Sequence, residues 1–391
     1  MTTLAFRHVT PAFRTFCGPD ALAALPKDVD RIGARRVVIF CGPSLRRHPD
    51  AVARVEEALG PRLAGCFDGV QEHSPLAVVE AGRRALQDAG ADAVVAVGGG
   101  SAVVTARAAS ILLAEGQDVH ALCTRRGPDG RLVSPRLNAP KLPHWVVPST
   151  PTTAYAKAGS AVRDPDSGER LPLFDPKTRA QGIFLHPAVA MTAPPALVRS
   201  AALDAVTMAV EGLQAGGGDP LAAAQLNQAL RMLGQWLPRV LDSGQDAEPR
   251  LHLMVAALLA GQGNDVSGGG LAQPIAHAAG PRSAVANGVV EALLLPGTMR
   301  FTAPVAGAAL TAVAEALGAP ATPSVTPADL AITAVEGLLA EVGVPTRLRE
   351  IGLAREDLDA IAEHALEDWS MTRVPRPAGP DELRELLHSA W

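Results

Sequence analysis

Over the first 190 residues, short apolar runs alternate with stretches in which apolar side chains recur every three or four positions; after Pro194 only the second pattern remains. The runs at 35–40 (RRVVIF) and 63–67 read as strands, and the stretches at 51–59 and 76–89 as helices with one apolar face. A third strand around Val94, Val95 and Val97 runs directly into Gly98-Gly99-Gly100-Ser101 and an alanine-rich helix. A fourth, at Trp145, Val146 and Val147, ends in the hydroxyl-rich run Pro148-Ser149-Thr150-Pro151-Thr152-Thr153. Residues 116–141, rich in arginine and proline and without a period, read as a surface loop.

From Pro194 onward, helices are expected at 197–214, 221–240, 250–261, 271–279, 289–301, 304–317, 327–342 and 355–365, with no strand among them. The pattern therefore predicts an α/β domain over residues 1–190, in which helices cover a Rossmann-like parallel sheet, followed by an all-helical domain over 191–391.

Composition narrows the function. A chain of 391 residues suits two domains, and 48% hydrophobic against 19% charged residues is the balance of an ordinary globular protein. The net charge of -5 argues against nucleic acid and anionic membranes as partners and leaves a small-molecule substrate. Cys17, Cys41, Cys66 and Cys123 show neither a CxxC pair nor metal-ligand spacing, so they are expected to be reduced, in the cytoplasm. The start, MTTLAFRHVTPAF, lacks the basic and apolar regions of a signal peptide, and no uncharged apolar stretch of about 18 residues predicts a membrane span.

Strand, glycine turn and helix together make a phosphate-binding turn: Gly98, Gly99 and Gly100 keep no side chain between a pyrophosphate and the backbone amides, and the helix starting near Ser101 directs its positive end there. The alternative is an ordinary tight turn of an α/β sheet. The carboxyl edge of a parallel sheet holds its ligand loops, which adds Ser44, after the first strand, and Ser149, Thr150 and Thr153, after the fourth, as cofactor-binding candidates.

Six stretches carry a resemblance over nearly the whole chain: VAVGGGS at 95–101, His73-Ser74-Pro75, VVPST at 146–150, HPAVAMTAPPALVRSAALDAVTMAVE at 186–211, LAQPIAHAAG at 271–280 and ANGVVEALLLPGTMRF at 286–301. In this order they resemble the iron-containing alcohol dehydrogenases, which share the dehydroquinate synthase-like fold, and among them most closely the maleylacetate reductases. The resemblance implies an N-terminal dinucleotide-binding domain, a C-terminal helical domain, and a cleft between them for nicotinamide and substrate. It also implies a divalent metal held by an Asp and a His four apart and by two further His. The matching positions here are Asp204, Met208, Gln273 and Asn287. One carboxylate, two amides and a thioether do not suit zinc or ferrous iron, so no catalytic metal is expected. Near the cofactor, Val104 and Arg107 stand where the family has a small or acidic residue and a lysine, and Arg107 keeps a charge that can meet phosphate. Tyr155 and Lys157 replace glycines after the Pro-Thr-Thr turn.

These departures set the candidates. His277 matches a histidine that the resemblance makes a proton relay beside the substrate, although a histidine on an apolar helix is also commonly a hydrogen-bonded core residue. Asp204 is a candidate to orient His277, and Lys157 or Tyr155 to polarise a carbonyl in place of the metal. Gln273, Asn287 and Met208 would line the substrate at the former ligand positions, and Arg282 would grip a substrate carboxylate. The expected function is a metal-independent reductase of a small polar or carboxylated carbonyl compound or enone. NADH and NADPH are equally compatible, because no acidic residue follows Phe40 and Arg46 and Arg47 come soon after. A lyase, dehydratase or cyclase on the same fold is the alternative, and a non-catalytic binding protein a third reading. A homodimer is expected by analogy with such folds.

Overall fold

The computed structural model describes residues 5–391 except 117, 128, 130, 165–167, 169, 216–217 and 321–322. Its strands are β1 Arg14–Cys17, β2 Val37–Phe40, β3 Leu63–Phe67, β4 Ala93–Gly98, β5 Arg125–Arg126, β6 Leu132–Val133, β7 His144–Pro148, β8 Gly159–Arg163, β9 Arg170–Phe174 and β10 Ala180–Leu185. Six of them form one sheet in the order β1-β10-β7-β4-β2-β3, with every neighbouring pair parallel. Strands β2, β4 and β7 are buried along their whole length, as unbroken apolar runs covered on both faces must be. The chain steps outward from β2 to β3, crosses back to β4, and continues in the other direction to β7 and β10. The reversal falls between β2 and β4, so the crevice beyond their carboxyl ends is where this topology binds ligands.

Two compact units share the chain. One comprises Pro11–Pro194 with Gln245–Met254; the other comprises the residues up to Thr10, Pro195–Gly244 and Val255–Trp391. The parallel sheet with its helices lies in the first. The second is built from helices, and among its described residues there is no strand. No helix of the described residues is long and apolar enough to cross a membrane.

Several elements differ from the pattern's expectations. β1 is an edge strand whose side chains are largely exposed, so it has no apolar signature. β10 contains Gln181 and Gly182, which interrupt its apolar run; a side chain at 182 would strike Trp145, 2.9 Å away. β8 and β9 form a short antiparallel hairpin. The expected loop at 116–141 contains the helix Val119–Leu122 and the two-residue pair β5 and β6, and ends in a buried charge cluster. There Lys141 lies 2.5 Å from Glu115 and 3.1 Å from Asp175. The helix expected at 250–261 runs over Glu248–Ser267, because its glycines permit close packing instead of ending it: a Cβ on Gly263 would sit 2.6 Å from Leu226. The final helix, Pro380–Ala390, buries only Leu383, Leu386 and Leu387 among many charges.

Helix Asn287–Thr302 packs on helix Pro195–Ala215 at backbone contact. A Cβ on Gly288 would lie 2.0 Å from the Ser200 carbonyl oxygen and 3.1 Å from the Asp204 amide nitrogen. No rotamer relieves such a clash, so Gly288→Ala is expected to lower stability by about 2–3 kcal/mol, read by urea unfolding.

Candidate functional site

In the sheet unit, the two turns that stand fifty residues apart in sequence are neighbours. β4 ends at Gly98, whose φ of +138° only glycine adopts without strain, and helix Gly100–Glu115 starts two residues later. The Ser149 amide donates to the Gly98 carbonyl at 3.0 Å. A Cβ on Gly99 would lie 3.2 Å from Thr150 Oγ1, and one on Gly100 3.0 Å from Thr152 Oγ1. Glycine is thus required on one side of a narrow cradle whose other side is hydroxyl-bearing. Ser149, Thr150 and Thr153 are buried, Ser101 is half-buried in the first helical turn, and Ser44 is exposed beyond the end of neighbouring β2. A clearance that a methyl group would fill, at the positive end of a sixteen-residue helix, fits a nucleotide pyrophosphate.

The start of that helix is pinned from behind. His73 and Ser74 both have left-handed backbones, with φ of 61° and 49°, a strain that bonding must repay. Ser74 Oγ donates to the Ser101 carbonyl at 3.3 Å and accepts from Thr105 Oγ1 at 2.9 Å. Arg107 departs from its expected part. It is buried, and its guanidinium donates to the carbonyls of Gly159 at 2.6 Å and Ala154 at 3.0 Å, so it braces the segment after the Pro-Thr-Thr turn instead of facing phosphate. Tyr155 also departs from expectation. It is 1% exposed, its hydroxyl donates to the Met254 carbonyl at 2.5 Å, and burial pushes its ionisation far above the ordinary phenol range. That proton is committed to the fold. Lys157 is half-buried in the same unit.

In the helical unit, Asp204 and Met208 lie one turn apart on helix Pro195–Ala215, Gln273 and His277 one turn apart on helix Ala272–Ala279, and Asn287 opens the next long helix. Asp204 is half-buried and Met208 buried. Gly288 holds the Asn287 end against the Asp204 backbone, and a Cβ on Gly280 would meet Asn287 Oδ1 at 2.5 Å. These four positions share a close-packed helical framework in which Asp204 supplies the one carboxylate. Among the described residues no group of three or more His, Cys, Asp or Glu side chains is arranged to hold a metal ion, and the donors at these four positions do not fit one.

His277 is oriented by a residue the sequence did not point to. Its Nδ1 lies 2.7 Å from Asp368 Oδ2. Burial alone would raise the Asp368 carboxyl, but hydrogen bonds from His277 and from the Ser370 hydroxyl and amide outweigh it and bring it down to about 2. An ionised carboxylate only accepts, so Nδ1 carries the proton and Nε2 is the nitrogen whose protonation changes. The local signal for Asp368 is its place as helix N-cap two residues before Ser370; nothing local links it to a histidine 91 positions away. Arg282, in the turn after helix Ala272–Ala279, donates to the Ala278 carbonyl at 3.1 Å and lies 3.6 Å from Asp357, so its guanidinium is engaged within the fold. The second unforeseen residue is Glu211, a carboxylate inside an apolar run. It is 3% exposed and accepts from the amides of Gly270 at 3.1 Å and Ala272 at 2.9 Å and from Thr298 Oγ1 at 3.3 Å. Burial pushes it up to about 7 against the lowering pull of those bonds.

Asp368 titrates below its unfolded value of 3.8, so its contribution is present above that pH and is lost as the pH falls through about 2. Asp368→Asn should therefore cost about 2 kcal/mol at neutral pH, a deficit that shrinks in urea titrations between pH 4 and 2. Tyr155→Phe should leave turnover unchanged and lower stability by about 1–2 kcal/mol, since only the Met254 carbonyl loses a partner.

A family model described as iron-containing alcohol dehydrogenase matches residues 11–187, and one for the C-terminal part of the Fe-containing alcohol dehydrogenase family matches residues 199–391. The chain is 31% identical over 381 residues to a lactaldehyde reductase of Escherichia coli, covering 96% of this chain and 97% of that one. It is 28% identical over 382 residues to maleylacetate reductase 1 of Cupriavidus pinatubonensis, covering 97% and 95%. A solved alcohol dehydrogenase from Oenococcus oeni superposes with a TM-score of 0.90 over 99% of this chain and 100% of its own; at 22% identity the likeness is one of fold.

Proposed function

This chain belongs to the iron-containing alcohol dehydrogenase family and is an oxidoreductase, and from that premise we propose that it reduces a small polar or carboxylated carbonyl compound or enone with NADH or NADPH and without a metal ion. The observation that carries the reading is the His277–Asp368 pair, at 2.7 Å, in a unit whose former metal positions offer one carboxylate, two amides and a thioether. The reductases among its relatives, acting on lactaldehyde and maleylacetate, support a small oxygenated substrate.

The nicotinamide, when bound, supplies the hydride. Gly98–Gly100, Ser101 and the hydroxyls of Ser149, Thr150 and Thr153 would hold its pyrophosphate, and Ser44 with Arg47 stands beyond β2, where an acidic residue would otherwise select against a ribose phosphate. As the substrate oxygen gains negative charge, His277 donates the Nε2 proton to it. Asp368 balances the imidazolium charge beforehand and keeps the ring from rotating. Gln273 and Asn287 remain amide donors for a polar substrate.

The test is nucleotide titration and turnover with chelator-treated protein. Tight binding of NADH or NADPH, oxidation of that nucleotide in step with reduction of a 2-oxo or enone acid, and no change on adding ferrous iron or zinc are expected. His277→Ala should lower kcat about 10²–10⁴-fold with nucleotide Kd unchanged. Activity lost on chelation and restored by iron would overturn the metal-free reading; substrate turnover with no nucleotide binding would favour a lyase or cyclase.

A further inference from the structure

Helix Ala272–Ala279 is eight residues long and has no cap of its own, since Leu271 offers no side-chain acceptor at its start. The cap comes from elsewhere. Glu211, on helix Pro195–Ala215, directs both carboxylate oxygens at the unsatisfied amides: Oε2 accepts from Gly270, Oε1 from Ala272, and the Gln273 amide also bonds to it. The approach is close enough to dictate residue 270, because a Cβ there would lie 2.5 Å from Glu211 Oε1. A carboxyl group whose two oxygens take two or more of the free amides at a helix N-terminus is a firmer fixing than an ordinary serine cap, which takes one.

The same short helix is held at a second point. His277, one turn beyond Gln273, bonds to Asp368, and Asp368 begins the turn Trp369–Arg373. Arg373 donates to the carbonyls of Asp265 and Val266 at the end of helix Glu248–Ser267, and its own backbone covers Gly268 at the start of the glycine run. The chain of contacts therefore closes on itself. It runs from Glu211 through Gly270 and Ala272 to His277, on to Asp368 and Arg373, and back to Gly268.

We propose that Glu211 is a positioning residue for the proton donor, fixing the site of His277 through the helix it caps. This rests on His277 being the proton donor of the reduction. Glu211 touches neither reacting atoms nor cofactor in this account, and it acts only by holding the helix. Loss of one carboxylate oxygen leaves at least one of the amides at Gly270 and Ala272 without an acceptor, the first turn opens, and the imidazole loses its fixed approach to Asp368.

The experiment compares the wild-type protein with Glu211→Gln, Glu211→Asp and Thr298→Val. One readout is the nitrogen-bound imidazole proton of His277 by NMR, and the other is steady-state reduction. The expected result for Glu211→Gln is an upfield shift and faster exchange of the His277 Nδ1 proton, with kcat lowered about 10–100-fold and nucleotide Kd unchanged. Thr298→Val, which removes the 3.3 Å hydroxyl bond to Glu211 and the hydroxyl's bond to the Leu295 carbonyl but leaves the amide bonds, should leave both readouts near wild type. A folded Glu211→Gln protein with an unchanged His277 proton overturns the proposal, and so does an equal loss in Thr298→Val. If Glu211→Gln does not fold, Glu211→Asp decides by the same two readouts, because its shorter side chain keeps the charge and misplaces it. The NMR arm needs no substrate. A wild-type protein that oxidises no nucleotide would sink the reductase reading while leaving the link between Glu211 and His277 to be judged on its own.

Discussion

An eight-residue helix has too few internal hydrogen bonds to hold itself in water, so whatever rides on helix Ala272–Ala279 depends on the hydrogen bonds made to it from outside. Two carboxylates supply them, Glu211 at its first amides and Asp368 at His277. Both are largely withdrawn from solvent, where a charge is tolerable only with several donors around it, and each has them. The bonding that satisfies these acids is the same bonding that orients the imidazole. Stability and placement are therefore one problem in this unit, and the polar residues inside its apolar interior are its solution.

The sheet unit solves a different problem, which is to bring backbone amides to a ligand without side chains in the way. It does so by omission at Gly98–Gly100 and by bracing around the omission. Ser74 and Thr105 tie the first turn of helix Gly100–Glu115, and Arg107, further along the same helix, ties Ala154 and Gly159. A rigid surround lets a glycine-rich turn serve as a binding surface, since a turn free to move would spend binding energy on ordering itself.

Much of this was legible from the sequence. The strands that are buried on both faces, β2, β4 and β7, announce themselves as apolar runs, and the glycine and hydroxyl turns follow them at the expected edge. β1 and β10 were not legible, because an exposed edge strand and a strand carrying Gly182 against Trp145 both lack that signature. In the site, His277 is legible through resemblance, but its bond to Asp368 is not. Pairings across 91 residues leave no local mark. Tyr155, Arg107 and Arg282 share the opposite difficulty: residue type suggests chemistry, whereas in the structure each bonds to a nearby backbone carbonyl, the first two in full burial.

The contact at Gly288 has a consequence for how this chain stands to its metal-bearing relatives. At the closest approach of the two helices, the atoms nearest a side chain at 288 are the main-chain atoms of Ser200 and Asp204. Exchanging side chains at 208, 273 and 287 leaves that approach untouched. Backbone framework and side-chain chemistry are thus separable at these positions, and substitutions at one can be accepted without rebuilding the other.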